Sequence, residues 1–172
     1  YFSGIILFNE NQYEESFKYL EKLNGLEASH KDYATKYLYT LVNSGNLKKA
    51  FHYSKKLEIQ NLDSFESDII IGIFYLKNSN KNLAQRYFLK AKNRNSKSIL
   101  NKYVSNSLYN WSVLKNISLD EALIELNKLD QRFENLKKIQ KVFLNCFFNN
   151  KETVNLFNQL VNNKNIDFSR YN

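Results

Sequence analysis

Small and bulky apolar residues return along this chain at an offset of 34, with short polar stretches between them. Gly4 falls on Leu38 and Gly72, Leu7 on Leu41 and Tyr75, Ser16 on Ala50 and Ala84, and Leu23 on Leu57 and Ala91. Small residues at Gly4, Gly72, Ala50 and Ala84 suit places where two helices cross closely, with bulky side chains filling the holes beside them. The spacing predicts helix pairs over 1–10 with 13–24, 31–44 with 47–58, and 64–78 with 81–93, followed by 99–115 with 118–130 and 133–148 with 150–162. The last two pairs are less regular. Ala122, Leu126 and Leu129 repeat the spacing of Ala84, Phe88 and Ala91 at an offset of 38, so four residues are added between Lys92 and Tyr103. Thr153, Phe157 and Leu160 repeat it once more after 31. Capping signals agree with this register. Ser118-x-x-Glu121 reads as a capping box, Asn46 and Asn11 stand where N-caps are expected, and the acidic pairs Glu14–Glu15 and Asp120–Glu121 suit the positive ends of helix dipoles.

A helix–turn–helix unit with a period of about 34 residues is the signature of the tetratricopeptide repeat, TPR. The third copy, Gly72-x2-Tyr75-x8-Ala84-x3-Phe88-x2-Ala91, resembles the TPR pattern over most of its second half. The first copy keeps Gly4, Tyr13, Ser16 and Leu20, and the second keeps Gly45 at the inter-helix turn, followed by Leu47 and Ala50. The chain departs from the family in three ways. No copy ends in Pro, Leu38 stands where a small residue is usual, and the usual Trp is missing from its slot. The resemblance implies an all-α, right-handed α-α superhelix, a TPR-like solenoid of five helix pairs. It is read as one repeat domain over 1–172, with units 1–29, 30–63, 64–97, 98–131 and 132–163. Single units cannot bury their apolar faces, whereas about three or more stacked together can. Phe168 and Tyr171 are read as the start of a sixth first helix or as a cap, and the whole as a piece of a longer array. The pattern is also similar to exported TPR proteins of alphaproteobacteria, which points toward a bacterial, periplasmic setting, with the cytoplasm as the alternative.

Composition supports helices. The chain has no Pro and only four Gly among 172 residues, too few turn residues for a strand-rich fold. The abundance of Asn and Lys reads as the imprint of an AT-rich genome. The longest apolar run, Ile69 to Leu76, is far short of the ~18 residues that cross a bilayer. Cys146 is the sole cysteine, which excludes an internal disulfide; its apolar neighbours suggest a core position. The net charge of +8 is concentrated. Between Ile69 and Leu119 there is no Asp or Glu but nine basic residues: Lys77, Lys81, Arg86, Lys90, Lys92, Arg94, Lys97, Lys102 and Lys115. Removing these nine leaves the rest of the chain at −1.

In the TPR architecture the first helices of successive pairs line a concave face. With Gly72 and its counterparts turned toward the partner helix, residues one, four and five places later face outward. These are Ile5, Phe8 and Asn9 in the first unit, Tyr39, Val42 and Asn43 in the second, and Ile73, Leu76 and Lys77 in the third. The fourth gives Trp111, Leu114 and Lys115, and the fifth Val142, Asn145 and Cys146. The expected site is an apolar and aromatic floor edged by a ladder of Asn9, Asn43, Lys77 and Lys115. An extended peptide or a partner helix would place its apolar anchors there, and the two lysines favour an acidic partner. The competing reading is that Ile5, Tyr39 and Ile73 pack between adjacent units. A TPR clamp for a terminal carboxylate is not carried over, because Tyr39 and Ile73 occupy turns where polar groups are needed.

The basic band offers an alternative, a module for nucleic acid or an anionic surface, but phosphate binding wants Lys and Arg converging on one face. A third reading makes the chain the regulatory arm of a larger enzyme. His30 and His52 lack further ligands at metal spacing, Cys146 lacks a nearby His, and neither a Gly-rich phosphate loop nor a catalytic triad order is present. The expectation is therefore a non-enzymatic interaction scaffold for a protein or peptide partner, with no metal and no cofactor.

Overall fold

The computed structural model describes residues 1–162, and Phe168 and Tyr171 lie outside them. The described residues form ten α-helices and no strand. They are α1 (Phe2–Asn9), α2 (Tyr13–Leu20), α3 (Lys31–Asn43), α4 (Leu47–Ile59), α5 (Phe65–Lys77), α6 (Lys81–Lys92), α7 (Ile99–Val113), α8 (Leu119–Asn127), α9 (Glu134–Phe147) and α10 (Thr153–Val161). Each falls within the segment predicted for it or within one residue of its ends. The chain divides into two compact units, Tyr1–Arg94 and Asn95–Asn172. The division falls in the stretch where the offset widens from 34 to 38.

The first unit contains three helix pairs. Its core gathers Leu20, Tyr33, Tyr37, Leu38, Leu41, Ala50, Tyr53 and Leu57. At the crossings the sequence pattern has a direct cause. Ser16 is fully buried and donates its Oγ–H to Gly4 O at 2.7 Å, so its hydroxyl is satisfied where only a small side chain fits. Ala50 and Ala84 are likewise fully buried. A Cβ on Gly72 would sit 2.4 Å from Phe88 Cε1, so the ring of Phe88 occupies the space that glycine leaves. Leu38 replaces the small residue in the second pair and is itself buried in the core.

The turns repeat as closely as the crossings. Asn11, Gly45 and Ser79, each 34 residues apart, all have left-handed backbone with φ of 61°, 75° and 60°. After each, a backbone N–H reaches back into the preceding helix: Gln12 to Leu7 O at 2.9 Å, Asn46 to Leu41 O at 2.8 Å and Asn80 to Tyr75 O at 2.8 Å. This left-handed C-terminal closure satisfies carbonyls that the helix end leaves open. Asn149 does the same for α9, with φ of 52° and Asn150 N bonded to Asn145 O at 2.9 Å. Glycine and asparagine tolerate positive φ better than most residues, which gives two of the abundant asparagines a structural reason.

The caps correct part of the sequence reading. The Ser118–Glu121 capping box is present, but Asn46 stands at its N-cap position without capping, its amide turned to Ser44. Asn11 ends α1 instead of starting α2, whose N-cap is Gln12. A second capping box, Ser64 with Ser67, opens α5, and Asn80 and Ser98 cap α6 and α7.

In the second unit, Tyr103, Leu114, Ala122, Leu126, Leu129 and Leu144 form the core. A smaller cluster of Val142 and Leu160, flanked by Ile139 and Leu156, lies between α9 and α10. Phe157, matched in sequence to the buried Phe88, is instead 53% exposed. The fifth pair has no glycine against which a ring could lie. Cys146 is exposed as well, against the expectation of a core position.

Candidate partner-binding face

In the first unit the first helices are neighbours, with α3 touching both α1 and α5. The second helix of each pair packs against the next first helix: Phe17 of α2 stacks on Tyr37 of α3 at 6.1 Å, and Phe51 of α4 on Phe74 of α5 at 3.9 Å. That packing consumes one side of α3 and α5 and leaves the other to solvent. On the open side lie Tyr39 and Val42 of α3, exposed by 47% and 42%, and Ile73 and Leu76 of α5, exposed by 37% and 43%. The two pairs occupy equivalent repeat positions, 34 residues apart. The Tyr39 hydroxyl is pushed above its ordinary pKa by burial and then by the charge of Glu66 on α5.

The polar ladder is less free than its spacing suggests. Asn43 donates its amide to Tyr39 O at 2.8 Å, one turn back along its own helix. Asn9 and Lys77 are exposed at the ends of α1 and α5. In the first copy Phe8 is half-buried, with an edge-to-face contact to Tyr13 at 5.7 Å, and Ile5 packs against the core. Phe2 and Ile6, at 80% and 57% exposure, are the open apolar residues of α1.

The second unit corrects the expectation for its helices. Leu114 is only 2% exposed and belongs to the core. The α-helix ends at Val113 and tightens into a 3₁₀ turn over Leu114–Asn116. Leu114 stands one turn beyond the buried Tyr103, Ser107 and Asn110 and so continues their inward face. Trp111 is half-buried, and its indole N–H donates to Gln140 Oε1 at 3.3 Å, while Gln140 donates to Tyr103 and Ser107. Trp111 is thus engaged with α9. Lys115 remains exposed. Of the three residues expected to face out on α9, Val142 and Asn145 are buried and Cys146 is exposed, because the inward stripe of this helix runs through Lys137, Val142, Leu144 and Asn145.

The basic band is also altered by folding. Lys90 Nζ lies 3.0 Å from Glu58 Oε1, 2.9 Å from Asp63 Oδ2 and 3.3 Å from Asp68 Oδ1, the last an ion pair without hydrogen-bond geometry. Arg94 pairs with Asp63 and Asp68, and Lys55 with Glu58. Tyr87 donates its hydroxyl to Glu58 at 2.9 Å. Three cations therefore meet three carboxylates supplied from outside the band, and the cluster sums to zero. Burial alone would raise the Glu58 carboxyl, but the hydrogen bonds from Lys55, Lys90 and Tyr87 outweigh it and hold it at about 2. For Asp68, fully buried, desolvation wins over Arg94 and Lys90, and its carboxyl lies above the ordinary value. Sequence reading missed this cluster because its acids and bases stand 22 or more residues apart, save Lys55–Glu58.

Among the described residues no group of three His, Cys, Asp or Glu is placed to hold a metal ion, and no helix is long and apolar enough to cross a membrane. No family model matches the sequence, and no curated protein matches it closely. Among solved structures the chain is similar to YrrB, a TPR protein with an unusual peptide-binding site, with a TM-score of 0.66. The match covers 94% of this chain and 83% of that one at 15% sequence identity. Paired helices, small-residue crossings and left-handed turns spaced by 34, together with this match of fold, give the chain a TPR-like helical-repeat fold.

Proposed function

We propose that the chain is a protein-interaction scaffold and that the open side of α3 and α5 receives an apolar stretch of a partner peptide or helix. The observation that carries this reading is the repeated pair of half-exposed apolar residues, Tyr39 with Val42 and Ile73 with Leu76. Single exposed apolar residues are ordinary on protein surfaces, whereas a contiguous set in register on adjacent helices is what a helix-in-groove or extended-peptide partner needs. An aromatic anchor such as Tyr39 adds the large, rigid contact area typical of binding hot spots. The similarity of fold to a peptide-binding TPR protein supports the same class of partner. Lys77 at the end of α5 favours acidic groups at that edge of the partner.

The nucleic-acid reading has weaker support, since Lys90 and Arg94 are already paired within the fold. A peptide-display selection against the full chain tests the scaffold. Selected peptides should lose binding by about tenfold or more on Tyr39→Ala with Ile73→Ala, as removal of anchor residues does, while helical circular dichroism is unchanged. Equal binding to the double variant would show that the site lies elsewhere, and loss of the folded signal would show that these residues support the core.

A further inference from the structure

The second unit holds a cavity of about 330 Å³ bounded by α8, α9 and α10. From α8 and α10 it is lined by Leu126, Leu156 and Leu160 with Asn127 and Gln159 among them, and its α9 wall carries Lys137, Lys138 and Lys141 beside Glu134. Lys137 is the unusual member. It is only 8% exposed, yet its ammonium meets just Leu129 O at 3.3 Å and Glu134 Oε2 at 3.3 Å. An ammonium has three N–H donors, and burying a charge with so few and such long contacts is costly. Three ammoniums against the one carboxylate of Glu134 leave the wall with a positive excess, facing the leucines.

We propose that this cavity binds the carboxylate of a medium-chain fatty acid. The alkyl tail lies on Leu126, Leu156 and Leu160, and the head accepts hydrogen bonds from Lys137 and Lys141. The tail removes apolar surface from water, and the head adds an acceptor for the third N–H of the Lys137 ammonium, beside Leu129 O and Glu134. A volume at the small end of ligand pockets suits one short amphiphile better than a run of peptide side chains. This site is separate from the α3–α5 face and stands or falls independently of it.

Isothermal titration of the full chain with sodium decanoate tests the assignment. Saturable one-to-one binding is expected, weaker by about tenfold for octanoate, which buries two fewer methylenes, and absent for decanol. Lys141 is exposed, so Lys141→Glu leaves the fold intact by circular dichroism and should weaken binding by about tenfold or more, as loss of one charged contact does. Leu156→Trp, filling the cavity, should abolish it. No heat with decanoate on the unaltered chain would overturn the proposal. Unchanged affinity in Lys141→Glu would overturn it too, as would equal binding of decanol. Tighter binding of a short acidic, leucine-containing peptide through the same residues would also overturn it, by assigning the cavity to peptides.

Discussion

At the scale of single residues, two glycines in equivalent repeat positions differ in what they tolerate. A Cβ at Gly72 would meet the edge of the Phe88 ring at 2.4 and 2.7 Å, and Phe88 is fully buried. A Cβ at Gly4 would meet Leu20 Cδ2 at 2.8 Å and Leu20 Cγ at 2.9 Å, a milder overlap than at Gly72. Gly72→Ala should therefore destabilise by about 1–2 kcal/mol, overpacking outweighing the better helix propensity of alanine. Gly4→Ala should cost less. Chemical denaturation of the two variants measures the difference, and Phe88→Leu placed with Gly72→Ala should recover part of the loss. A Gly72→Ala variant as stable as the parent would mean that the crossing has more room than the geometry shows. The small-residue slots were legible because a steric demand at a crossing admits few residue types. The left-handed Asn11 and Ser79 were not, since a positive φ at asparagine or serine leaves little mark in composition.

At the scale of elements, the stability of the first unit depends on how α6 is tied to the end of α4 and the start of α5. Glu58 and Asp63 both have carboxyls held below their ordinary values in the fold, in each case by ion pairs that outweigh burial. A carboxylate depressed in the folded state contributes stability that is fully present above its unfolded pKa and is lost as the pH falls through its folded value. For Glu58 that window runs from 4.5 down to about 2. Asp68 opposes them, because its raised carboxyl takes up a proton more readily in the fold. Glu58→Gln should lower stability at pH 7 by about 1–2 kcal/mol, a range for partly exposed ion pairs in a network, and should flatten the fall in melting temperature below pH 4.5. Thermal melts from pH 2 to 7 on parent and variant measure both effects. Parallel pH profiles would remove Glu58 from the acid response. Helix ends show the same division. Ser118 and Glu121, three residues apart, announce their capping box, whereas the 3₁₀ turn over Leu114–Asn116 has no local signature.

At the scale of the whole molecule, the chain consists of two compact units joined through the non-helical stretch 93–98. Lys97 is exposed there, while Arg94 is engaged by Asp63 and Asp68. Within the described residues, limited trypsin digestion should therefore cut first after Lys97, giving an N-terminal fragment 1–97 identifiable by mass. First cuts inside α4 or α9, both rich in lysine, would show that those helices open more easily than the connection. The place of division was foreshadowed by the four added residues between Lys92 and Tyr103. The separation into two cores was not.

The amino-acid sequence alone determined the helices, their pairing and the period of 34, because those depend on local propensity and on steric demands that recur at fixed separations. It also indicated which residues of α3 and α5 stand open, since their register is regular. Tertiary structure decided the remainder: the burial of Leu114, the engagement of Trp111 by Gln140, the burial of Val142 and Asn145, and the neutralisation of Lys90 and Arg94. Each of these depends on a helix's rotation about its own axis or on a partner distant along the chain, and packing against neighbours fixes both.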